Sequence, residues 1–211
     1  TFNKFIPYLI NMDQYLFDPD TEDIQDEFNE LLASLHSLNS KGHSPGTIEW
    51  DVSKHLEGLL VGPILVALGM SDFFLSSLEN EGEINVENMG KTLPILDSIL
   101  TLFINLNWIE IKNNKQYFSE EGLFFIKRST AYGVTVSYLP TFNQMPELLF
   151  GNPNILWKRN PNGLETHVNR RMNVWGSGGA HSLYFRKIDE IITHIFSQPL
   201  DEQPIGIADM G

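Results

Sequence analysis

The stretch "EINVENMGKTLPILDSILTLFINLNWIEIKNNKQYFSEEGLFFI" constrains the fold more than any other part of the chain. It opens with a short turn or helix, then places Leu96, Ile99, Leu100, Phe103 and Leu106 on one face of a longer helix. Next, "WIEIKNNKQYFS" alternates on either side of Asn113 and Asn114, a pair able to take the positive φ angles of a tight hairpin turn. "EEGLFFIKRS" then resumes. Helix, turn, helix and two-stranded wing, in that order, outline a winged-helix unit.

The flanking sequence is mostly helical. "DPDTEDIQDEFNELLASLHSLNSKGHS" predicts a helix capped by Asp20 or Thr21, with Ile24, Phe28, Leu31, Leu32, Leu35 and Leu38 on one stripe. Lys41 to Gly46 break it, and a second helix follows around Glu57 to Leu68, with Gly69 as its stop. A short helix in "MSDFFLSSLENEG" ends at Gly82. From Ala131, "AYGVTVSYLPTFNQMPELLFGNP" has no strong periodicity until "QMPELLF" and reads as a connecting segment whose aromatics either line a pocket or pack between domains. A short helical stretch around Glu165 to Val174 precedes the glycines of "GSGG". These resemble a phosphate cradle only superficially, because no strand precedes them. They read as a hinge or the start of a helix running from Ser182 to Phe196, where the backbone approaches something closely, a ligand being one candidate.

Charge narrows the functions. The net charge of −13 is concentrated near the amino end, where Asp13, Asp18, Asp20, Glu22, Asp23, Asp26, Glu27 and Glu30 face Lys4 alone. Residues 92 to 107 carry no basic side chain and the wing offers only Lys112 and Lys115, the wrong charge pattern for a phosphate-neutralising DNA interface, so DNA-binding regulation ranks third among the function classes. Lys158, Arg159, Arg170, Arg171, Arg186 and Lys187 invert the balance, either as solvated surface or as a site for an anionic ligand or carrier. With no long uninterrupted apolar run and no basic leader, neither membrane insertion nor secretion is expected, and the cytoplasm is the default compartment. The absence of cysteine removes thiolate metal sites.

"IGIADMG", at the end of the sequence, follows an amphipathic helix and a proline-containing loop, as the first strand of a doubly wound α/β sheet does. It resembles the first half of motif I of class I S-adenosylmethionine-dependent methyltransferases, so the second half is expected beyond Gly211. The preceding text, from "VALGMSDFFLSSLENEG" through the wing, resembles the helical, winged-helix-like region that many small-molecule methyltransferases carry. "YLPTFNQMPELLFGNP", "HVNRRMNVWGSGGAHSLYF" and "QPIGIADMG" together are similar to methyltransferase domains of polyketide synthases, particularly loading modules.

The fold class expected is therefore mainly α with a small β wing, leading into the first strand of a Rossmann-like core. Four parts are expected: an acidic helical segment (1–46), the winged-helix-like unit (47–130), a connecting or lid segment (131–180), and the first helix and strand of a donor-binding core (181–211).

The resemblance implies C-methylation of a malonyl-type acyl group on an acyl carrier protein, with S-adenosylmethionine as donor and, in some members, a divalent metal such as iron or manganese. Carrier or adjacent synthase domains are the implied partners. Asp209, Gly211, Gly178, Gly179, Tyr184 and Trp175 are the donor-binding candidates. His181, His167 and Tyr138 are the catalytic candidates, because a carbon nucleophile needs a base and a stabilised enolate. Arg170 and Arg171 are expected to face substrate or carrier. No HxH, HxxxH or HExxH spacing marks a metal site, so metal ligands are unassigned. A non-catalytic helical adaptor that docks synthase partners is the other reading.

Overall fold

A computed structural model describes residues 5–16, 22–39, 42–84 and 95–208, without the side chains of 22–24, 38–39 and 183. Asp20, Thr21, Asp209 and Gly211, and the turn expected at 85–90, lie outside the described residues. Helices dominate: α1 (Ile6–Ile10), α2 (Met12–Tyr15), α3 (Glu22–Asn39), α4 (Ile48–Met70), α5 (Leu75–Glu79) and α6 (Leu96–Asn105) precede the wing strands β1 (Ile109–Lys112) and β2 (Lys115–Phe118). After the wing come α7 (Glu120–Ile126), α8 (Ser129–Ser137), α9 (Leu139–Phe142), α10 (Met145–Phe150), a 3-10 turn at Pro153–Trp157, and α11 (Arg170–Phe196).

The wing forms as the sequence indicates. Ile109 pairs with Phe118 and Lys112 with Lys115, antiparallel, which leaves Asn113 and Asn114 as a two-residue turn at φ 51° and 61°. A third rung comes from the chain after α5, where Ile84 N–H donates to Gln116 O (2.9 Å) and Phe118 N–H to Gly82 O (2.8 Å). Ser119 ends the wing and starts α7, its hydroxyl accepting from Gly122 N–H at 3.1 Å. Ser119→Ala leaves that amide without its partner and is expected to cost about 1 kcal/mol in chemical denaturation.

One core joins these parts. Phe28, Leu31 and Leu35 of α3 are buried against α4 and α6, as their stripe predicts. Phe103, Trp108 and Phe118 link α6 to the wing, while Trp108 stacks on Phe125 at 4.4 Å and so ties the wing to α7.

Helix α4 starts earlier than expected because Thr47 caps it, accepting from Trp50 N–H at 3.3 Å, and because exposed Ile48 and Val52 blur the stripe in its first turns. By length and composition α4 is apolar enough to cross a bilayer, and half of its most apolar window is buried within the fold.

Residues 131 to 150, expected as a connecting segment, are largely helical: α8 packs against both α4 and α11, and a helix buried on two sides loses the one-sided stripe that marks it in sequence. The reading of the glycines after them needs correction. The glycines of "GSGG" are neither hinge nor helix start, because α11 runs through them without a break for 27 residues, across the expected boundary at residue 180.

What the glycines approach is another helix. A Cβ on Gly176 would sit 2.7 Å from Val134 N and 2.8 Å from Gly133 Cα, and one on Gly133 would meet Gly176 Cα at 2.8 Å. Gly179 lies against Thr130 in the same way. Glycine on both sides lets the two backbones touch, and the close packing offsets the low helix propensity of glycine.

Beyond Phe196 the chain turns, and residues 204–208 are not in a strand. Ile205 and Ile207 are exposed. Among the described residues the wing is the two-stranded sheet, and residues 205–208 pair with no strand.

Candidate functional site

The amino terminus of α11, the loop 158–169 before it, α1, α2 and α9 enclose a groove of about 650 Å³. The loop is held by an antiparallel backbone β-bridge between residues Arg159 and Glu165 and by Asn160, whose side-chain carbonyl accepts from Asn162 N–H (2.9 Å) and Leu164 N–H (3.0 Å). Asn169 caps α11, accepting from Met172 N–H at 3.1 Å, and its amide donates to Asp13 of α2 at 3.3 Å. Asn169 N–H donates to Ser137 O (2.9 Å), which fixes the end of α8 against the start of α11.

The groove is cationic. Arg159, Arg170 and Arg171 line it, against Glu165. Both Nε and Nη2 of Arg170 donate to one Glu165 oxygen, the former at 2.9 Å. That hydrogen bond holds the Glu165 carboxyl below its ordinary range and raises the guanidinium of Arg170. A carboxyl lowered on folding adds stability above its unfolded pKa and loses it only as pH falls through the lowered value, so the pair persists into mild acid. Arg159 donates to Gly163 O (2.9 Å), and Arg171 has no ion pair among the described residues. Two arginines in a helix's first turn, with no acid there, oppose the helix dipole and favour an anion beside them.

A smaller hollow of about 360 Å³ lies between α4, the turn after α6 and α7, but its lysine, Lys54, is already paired with Glu57 at 2.9 Å.

Of the catalytic and substrate candidates, Arg170 and Arg171 line the groove, whereas His167 and Tyr138 lie near its lining residues without lining it. His167 has its carbonyl fixed by the Thr141 hydroxyl (2.5 Å), its Nδ1 is buried without a hydrogen-bond partner, and it lies within electrostatic reach of Glu165. Tyr138, half-buried at the end of α8, is within reach of Arg170. Arg171 faces the groove directly.

His181 does not join them. It is exposed on α11, its Nδ1 3.4 Å from Ser177 Oγ, its ring against Tyr184 and Phe185. At 1.5 Å rise per residue it stands about 15 Å along the helix from Arg171. Asp13 and Asn169 were invisible as a pair, separated by 156 positions.

The donor-binding candidates do not form a pocket among the described residues. Trp175 packs against Gly69 and Gly133, and Gly179 against Thr130. Gly178 faces open space and Tyr184 is exposed. No group of three His, Asp or Glu side chains comes together to hold a metal ion among the described residues. The four described donor candidates do not by themselves make a donor pocket; Asp209 and Gly211 lie outside the described residues.

The fold and its order define a winged-helix unit carried into a methyltransferase-like segment. Residues 57–152 match the AprA winged helix domain, and residues 165–211 match the AprA MT2-like domain. Together the matches support a methyltransferase-related region of a polyketide synthase. No curated protein matches the chain. The groove takes its Pro140 wall from the first matched region and Glu165 to Arg171 from the second.

Proposed function

We propose that the chain is the helical, winged-helix part of an S-adenosylmethionine-dependent methyltransferase that C-methylates a malonyl-type acyl group on an acyl carrier protein, in the cytoplasm. The observation that carries this reading is the order of the two matches, with a cationic groove built across them. The donor supplies the methyl group. The chain's own residues receive the acceptor: Arg171 holds a carboxylate or phosphate at the groove, and Arg170 beside it is fixed by Glu165.

Arg171→Glu is expected to raise KM for a malonyl-loaded carrier about tenfold, the equivalent of about 1.4 kcal/mol in binding, with little change in kcat. An unchanged KM would remove the groove from substrate binding.

The adaptor reading is favoured by one observation, that the four described donor candidates are spread over packing and open faces of α11. Calorimetric titration of S-adenosylmethionine into this chain and into a carboxyl-terminally extended form separates the two. Heat of binding in the extended form supports the methyltransferase, and a folded extended form that binds no donor supports the adaptor.

A further inference from the structure

Beside the groove the fold holds large apolar side chains out in solvent. Phe150 is 89% exposed, Trp157 81% and Leu149 63%. They are rigidly presented. Asn152 accepts from Asn154 N–H at 3.0 Å, the Glu147 carboxylate accepts from Asn152 N–H at 2.9 Å, and buried Ile155 anchors the 3-10 turn that carries Trp157. Rigid aromatic side chains with satisfied supporting backbone are what protein interfaces use as anchors.

Charge identifies the occupant. Lys158 and Arg159 follow Trp157 directly, both exposed and neither ion-paired among the described residues, in a chain whose net charge is −13. An acidic protein complements the patch and is steered to it.

Position gives the purpose. Arg159 lines the groove and lies two residues from Trp157, at most about 7 Å along an extended chain. A partner seated on Trp157 therefore stands at the groove's rim, and a flexible arm from it enters between Arg159 and Arg171. We propose that Phe150, Trp157 and Lys158 form the landing surface for an acidic carrier protein, whose phosphopantetheine arm the neighbouring groove receives. This rests on the methyltransferase reading for the arm's destination, and on exposure and charge alone for the docking.

The test is calorimetric binding of a malonyl-loaded acyl carrier protein with an acidic recognition helix to the full protein and to Trp157→Ala, Phe150→Ala and Lys158→Glu. Lys112→Glu, at the wing tip, is the control. Trp157→Ala and Lys158→Glu are each expected to weaken binding about tenfold or more, and only the Lys158 effect should fade in high salt. The control should bind as the unmodified protein does. Equal affinity in all four variants, or Trp157-dependent binding to phosphatidylserine vesicles with none to the carrier, overturns the proposal. Methyl transfer by the unmodified protein is assayed in parallel. Absence of transfer with Trp157-dependent carrier binding intact would sink the methyltransferase reading and leave the docking surface standing.

Discussion

Phe103→Ala is expected to cost about 3–5 kcal/mol and to lower the thermal midpoint by about 10 °C or more. Phe103 has no exposed surface and belongs to two assemblies at once. It packs on Trp108 at 5.3 Å between ring centres and on Phe118 at 6.3 Å, so it faces both the start of β1 and the end of β2. Its carbonyl accepts from Trp108 N–H at 2.8 Å, which sets the sharp exit from α6 into the wing. Truncation leaves a cavity that the surrounding rings cannot close without breaking the Trp108 to Phe125 stack. Circular dichroism melts measure the effect. A loss below about 1 kcal/mol would mean that the wing is held by its hairpin alone, contrary to the aromatic packing described.

The second large effect is a contrast between two glycines of one motif. Gly176→Ala is expected to cost about 1–3 kcal/mol, because the new methyl would overlap backbone atoms of α8, which cannot swing aside as a side chain does. Gly178→Ala should stabilise by about 0.5–1 kcal/mol, since nothing lies within 4 Å of its added Cβ and alanine is the better helix former. For a chain of this size these correspond to a midpoint lower by several degrees and one higher by a few degrees. If both substitutions destabilised equally, or neither did, the close crossing of α8 and α11 would not be what the motif serves.

The legible parts of the fold were those with one dry face. The stripe of α6 and the alternation about Asn113 and Asn114 announced themselves because each element is buried on one side, or turns where asparagine tolerates positive φ. α8 was not legible, since glycine, serine and β-branched residues meet neighbours on two sides and leave no periodic signal. The break expected at "GSGG" followed from intrinsic propensity, which tertiary packing overrode. In and beside the groove, His167, Arg170 and Arg171 could be named because they are close in sequence and chemically conspicuous. The Asp13 to Asn169 contact, which ties α2 to the start of α11, depends on chain topology and has no local signature.

The unbroken length of α11 sets how this part of the protein can move. Twenty-seven residues at 1.5 Å each make a strut of about 40 Å. Its amino-terminal half is clamped to α8 through glycine contacts that leave no slack for sliding, while Tyr184, Phe185, Ile188 and Ile191 project from its far half. Whatever seats on that far half is mechanically coupled to the groove: a tilt imposed at Ile191 is delivered, lever-like, to Arg170 and Arg171. Past Phe196, Ser197 caps the helix and Pro199 and Pro204 bracket the turn, so the stiff strut ends there.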